Sequence, residues 1–121
     1  MNDERMATLA ARIQGWYYVV TGLWPIFHIQ SFELVTGPKT DHWLVKTVGV
    51  LVAVIGATLL LAAHRRHITR SIGFLGIASA LGLAGIDLVY GTSGTIPPVY
   101  LVDAAAELLL AGLWAVARAR R

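Results

Sequence analysis

From Val99 to Ala117 the chain reads VYLVDAAAELLLAGLWAVA. The run has the length and apolarity of a membrane-crossing helix, yet it carries Asp103 and Glu107 one turn apart. About 20 residues of helix cover about 30 Å of hydrocarbon. Inside hydrocarbon every backbone N–H and C=O must be paired within the protein, so such a run folds as a helix and several of them fold as a bundle. A carboxyl group in that setting is costly, which makes it a functional-site hypothesis by default.

Three more runs of similar length precede it. The expected spans cover about residues 9–28, 43–63, 72–90 and 98–117, in a single domain over residues 1–121. Charged residues make up 14% of the chain and hydrophobic ones 56%, against about 25% charged in soluble domains. The expected fold is therefore all-α: an integral membrane four-helix bundle with a short interfacial segment between its first two helices. Absence of cysteine excludes disulfide, thiolate–metal and cysteine-nucleophile chemistry.

The net charge of +3 comes from arginines at the chain ends and in one loop. Arg5 and Arg12 stand near the start of the first span. Arg65, Arg66 and Arg70 lie in or beside the HRRHITR loop, and Arg118, Arg120 and Arg121 close the chain. All fall on one side of a four-span bundle, which reads as an orientation signal rather than a nucleic-acid surface. Both termini are then cytoplasmic, in a plasma membrane of bacterial inner-membrane type. The start, MNDERMATLAARIQ, lacks a basic n-region and a cleavage site and reads as mature sequence.

In the first span Arg12 is expected to snorkel to the headgroups. Trp16, Tyr17, Tyr18 and Trp24 are expected as interface anchors, and Pro25 as the source of a kink in the last turn. In the following loop, SFELV is expected to form one interfacial turn with Phe32, Leu34 and Val35 facing lipid or the bundle, ended by Gly37 and Pro38. Thr40 or Asp41 suits the N-cap of the next helix. Pro97 and Pro98 suit the first turn of the last one. Small residues at Gly73, Gly76, Ser79, Gly82 and Gly85 predict a shallow groove for close helix packing, with a homodimer seam through Gly73, Gly76, Gly82 and Gly85 as the alternative. Gly49 and Gly56 read as a second packing site.

Helical rise sets the depth of the ionisable groups. Glu107 lies near the middle of the last span, with Asp103 about 6 Å further out. Asp87 lies about 9 Å and Lys46 about 10 Å outside the centres of their spans, and His28 ends the first span on the same side. Faces agree with depth. Tyr100, Asp103, Glu107, Leu110 and Trp114 form one stripe, Gln14, Tyr17, Thr21, Trp24 and His28 another, and Asp87 shares a face with Tyr90. Turned to a common interior, these stripes predict an outward-facing acidic pocket lined by aromatics. Its ligand-binding candidates are Tyr17, Thr21, Trp24, His28, Lys46, Asp87, Tyr90, Tyr100, Asp103 and Glu107.

Three acids then face one intramembrane cation, Lys46, whose stem of about 6 Å reaches Asp87 or Asp103 before Glu107. Glu107 is expected to be protonated or neutralised by a bound cation, and Asp103 to be held by structure. Plainer readings stand beside this one. Lys46 with Asp87 or Asp103 forms a structural ion pair. Glu107 bonds Tyr17, Thr21 or a backbone carbonyl as helix glue. No ligand spacing points to a metal, although His28 or His42 could in principle join Asp87 and Asp103, and no cofactor motif is present.

GLWPIFH at the end of the first span, the outer loop FELVTGPKTDHW and the intramembrane acids together resemble DoxX-like and emopamil-binding small four-helix membrane proteins. That resemblance is architectural, covers most of the chain and implies an intramembrane ligand pocket or an accessory role in a redox complex. The leading expectation is a protein that binds a small amphipathic or cationic molecule, or a membrane lipid, in its outward pocket. Alternatives are a homodimeric proton- or cation-coupled transporter using Glu107, an intramembrane isomerase with Glu107 and Asp103 as catalytic candidates, and an accessory subunit without chemistry of its own.

Overall fold

The computed structural model describes residues 3–38 and 41–119. Among them the chain is all-helical: α1 (Asp3–Phe27), α2 (Ile29–Thr36), α3 (His42–Arg65), α4 (Arg70–Thr92) and α5 (Val99–Ala119). Helices α3, α4 and α5 are long and apolar enough to cross a membrane. Their surfaces fit that setting, since Leu51, Val54, Phe74, Leu81, Val102 and Leu109 are all exposed. A protein in water rarely shows apolar area on this scale.

The helices lie side by side in the order α3, α1, α5, α4, with α3 and α4 scarcely touching. The α1–α3 seam is built from glycines. Gly15 faces Gly56 and Gly22 faces Gly49 in antiparallel register. A Cβ at Gly49 would lie 2.5 Å from the Gly22 carbonyl oxygen. Small residues allow backbones to approach this closely, and in lipid such packing replaces the hydrophobic effect as the force that joins helices. Gly49 and Gly56 thus pack as expected; their partners, Gly15 and Gly22, complete the seam.

The α4 spiral behaves differently. Gly76 is covered by the Trp114 ring, but a Cβ at Gly73, Gly82 or Gly85 would meet nothing within 4 Å. Three residues advance a helix by about 300°, so each step of the spiral slips about 60° backwards. Over that drift Gly76 and Ser79 lie towards the interior and Gly82 turns away from it. The expected groove is therefore not filled from within the chain, and Gly76 is already occupied by α5.

At the α2 end, α2 is a two-turn helix rather than a single turn. Its N-cap is His28, whose Nδ1 accepts from the Ser31 N–H at 3.2 Å. Gly37 ends it at φ 93°, with its N–H donating to the Glu33 carbonyl at 2.8 Å. Leu34 and Val35 are exposed and Phe32 packs edge-on to Trp24. Asp41 holds the N-cap position of α3, but its side chain makes no capping bond; Thr40, like Arg120 and Arg121, lies outside the described residues. The carboxylate of Glu33 pairs with Nε2 of His42, tying α2 to the start of α3. At the other end Thr69 caps α4 by accepting from the Ile72 N–H at 3.2 Å. Pro97 and Pro98 stand just before α5 and accept its first bonds, from Tyr100 and Leu101.

Candidate functional site

Helix α1 is inside out. Leu9, Ile13, Trp16, Val20 and Phe27 line its exposed side. Gln14, Tyr17, Tyr18 and Thr21, at helical spacing, turn inward. Gln14, Tyr18 and Tyr17 meet α4 and α5 in three successive layers along the bundle.

Nearest the basic end, the buried Gln14 amide joins three helices. Its Nε2 donates to the Gly76 carbonyl at 2.9 Å and to Ser79 Oγ at 3.2 Å, while Trp114 Nε1 donates to its Oε1 at 2.6 Å. Next, the Tyr18 hydroxyl donates to Glu107 Oε1 at 2.7 Å, with Ser79 and Gln14 also beside that hydroxyl. Tyr18 and Glu107 are each 1% exposed. Towards the α2 end, the Tyr17 hydroxyl donates to Asp103 Oδ1, and the Asp103 carboxyl lies beside that of Asp87. Asp87 is 6% exposed, and its Oδ2 is buried with no hydrogen-bond partner among the described residues.

This geometry redistributes the expected roles. Tyr18, expected as an interface anchor, is interior and holds Glu107. Glu107 is thus the acid with a dedicated partner, and Asp87 the one with an orphaned oxygen. Lys46 is exposed on α3 and forms no ion pair with Asp87 or Asp103. The reason is topological: α3 packs against α1 and scarcely meets α4, so the lysine does not reach the acids that α4 and α5 carry. Thr21 bonds its own helix, to the Tyr17 carbonyl at 2.7 Å. Trp24 and His28 serve α2, Trp24 through Nε1 to Ser31 Oγ at 2.8 Å. Tyr90 is 44% exposed on α4, and Tyr100 is half-buried beside the start of α5. The structure therefore gathers Tyr17, Asp87, Asp103 and Glu107, and leaves Thr21, Trp24, His28, Lys46 and Tyr90 outside the acid cluster.

Tyr18 was legible in principle. It lies four residues after Gln14 and three before Thr21, on the polar stripe of a helix whose other side is apolar. Its position near one end of the span drew the anchor reading instead.

Replacing Gln14 by leucine removes three bonds, each worth about 0.6 kcal/mol in membrane bundles. Unfolding in mixed micelles by denaturant titration is expected to show a loss of about 2 kcal/mol.

Comparison with known families, curated proteins and solved structures finds no match to the chain. The architectural resemblance to DoxX-like proteins gains no support from it, and function rests on the site itself.

Proposed function

We propose that this is an integral membrane protein that binds a small amphipathic cation, such as a protonated amine, at the Asp87–Asp103 pair. In this reading α1 is the fourth span. Its 25 residues extend about 37 Å, and the apolar outward stripe from Leu9 to Phe27 suits lipid while its polar side is consumed inside. Arg5, Arg12, Arg65, Arg66, Arg70 and Arg118 share one end, which the positive-inside bias makes cytoplasmic; the acid pair then lies towards the outside.

One observation carries the proposal: two carboxyls lie beside each other, and among the described residues no lysine or arginine pairs with them and Oδ2 of Asp87 is buried without a partner. Charges repel strongly across a few ångströms of low-dielectric medium, so the pair holds a positive charge, as a proton or as a cation that displaces it. Tyr17 beside the pair, with Tyr100 at the start of α5, gives an organic cation aromatic surface to lie against. Asp103 is only partly buried, which leaves the pair reachable from the α2 end. The earlier transporter reading centred on Glu107; with Glu107 bonded to Tyr18, the cation-responsive position is Asp87.

The test uses octylammonium with the protein in neutral detergent micelles. The thermal unfolding midpoint is expected to rise saturably with the amine. Asp87→Asn is expected to weaken that binding by tenfold or more, as loss of one member of a buried charge contact does, and Lys46→Gln to leave it unchanged. No saturable rise in the unsubstituted protein, or equal binding by Asp87→Asn, overturns the proposal.

A further inference from the structure

At the opposite end of α4 a cavity of about 420 Å³ opens between the start of α4 and the end of α5. Arg70 and Arg118 line it, together with Thr69, Gly73, Phe74 and Ile77. Neither arginine has a carboxylate partner among the described residues, and both are exposed. Below them the walls are apolar. Gly73 contributes the depth, since the space where its Cβ would sit is empty to 4 Å.

We infer that this cavity is a binding site for an anionic phospholipid, with the phosphate between Arg70 and Arg118 and the upper part of one acyl chain along Gly73, Phe74 and Ile77. Three features select that occupant. Two guanidiniums without a carboxylate partner among the described residues offer planar, multi-donor recognition of phosphate oxygens. The first turn of α4 adds the positive end of its helix dipole to the same place. The slot continues about 10 Å down the helix from Arg70 to Ile77, passing from charge to an apolar wall, which matches an amphiphile and exceeds what a free anion uses. Basic pockets between spans on the cytoplasmic side hold anionic headgroups by this chemistry. The site lies about 25 Å along α4 from Asp87, so it is independent of the amine site.

Lipid-stripped protein in neutral micelles is incubated with dioleoyl phosphatidylglycerol, with dioleoyl phosphatidylcholine or with inorganic phosphate. Retained lipid is counted by native mass spectrometry and the unfolding midpoint is followed. Phosphatidylglycerol is expected to be retained and to raise the midpoint, and the other two to do neither. The Arg70→Gln/Arg118→Gln double variant is expected to bind phosphatidylglycerol about 30-fold more weakly, from two arginine contributions. Gly73→Leu places bulk in the chain slot at a position where an added Cβ meets nothing within 4 Å. It is expected to lose lipid retention while its lipid-free midpoint is not lowered, which keeps the test decisive if the arginine variant fails to fold. Equal retention of the two lipids, the same rise with phosphate alone, or retention by Gly73→Leu equal to that of the unsubstituted protein overturns the inference. Octylammonium binding, read at Asp87, is unaffected by any of these outcomes.

Discussion

Gly56→Leu is expected to separate α1 from α3 and leave little folded protein after extraction into mild detergent. A Cβ at Gly56 would lie 2.7 Å from the Gly15 carbonyl oxygen, 2.8 Å from Tyr18 Cβ and 2.8 Å from the Val19 nitrogen. Two of those atoms are backbone and cannot rotate away, so the helices themselves must part. Overpacking of a tight interface costs about 1–3 kcal/mol when side chains can yield; here the cost is expected at or above about 3 kcal/mol. Gly82→Leu is the control. It adds the same side chain to α4 at a position where an added Cβ meets nothing within 4 Å, and it is expected to change stability by no more than about 0.5 kcal/mol. Circular dichroism melts of the two variants in the same micelle make the comparison. Equal melting would show that the glycine seam does not join α1 to α3.

Trp114→Ala is the second large effect. The Trp114 ring is 3% exposed, rests on Gly76 and donates to Gln14. In lipid the transfer of apolar surface out of water no longer contributes, but the lost dispersion contacts and the hydrogen bond remain. A deficit of about 3 kcal/mol is expected, at the lower end for a buried tryptophan replaced by alanine. Adding Gly76→Leu sharpens the reading. Alone, that change puts a Cβ 2.5 Å from the ring and should be severely destabilising. Combined with Trp114→Ala it grows into the vacated space, so the double variant is expected to be more stable than the sum of the singles predicts. Additive losses would mean the two positions do not share one contact.

Much of the architecture was written in the apolar runs. The three spans that open at about residues 43, 72 and 98 coincide with α3, α4 and α5 to within a few residues, because about 20 apolar residues leave a chain little choice in lipid. The first run was harder to read. Helix α1 begins at Asp3, ahead of the expected start at about residue 9, and its mean apolarity is diluted by the very side chains that bond α4 and α5. Gly15 and Gly22 carry no signal alone; they acquire meaning only beside Gly56 and Gly49, a pairing that needs the third dimension. Depth was legible from numbering, so the acids do cluster near one level. Rotation was less so. Stripe matching turned Tyr17, Asp103 and Glu107 to one interior but offered Tyr17 to Glu107; that Tyr17 meets Asp103 and Tyr18 meets Glu107 depends on how each helix is turned about its axis, and the separation of Lys46 from the acids on which helices are neighbours.

The side-by-side order α3, α1, α5, α4 bears on how the chain is made. Within the part synthesised first, α1 meets α3 through close glycine and apolar contacts, and the side-chain bonds of Gln14, Tyr17 and Tyr18 go to α4 and α5, which emerge later. Until then, on the proposed four-span topology, a glutamine and two phenols sit in lipid without their partners, at a cost that apolar neighbours cannot offset. The first hairpin is thus a committed but unfinished half. Its polar side acts as a template that accepts only a second hairpin with acids and a tryptophan at the matching heights, which makes correct insertion of the late half a condition for the survival of the early one.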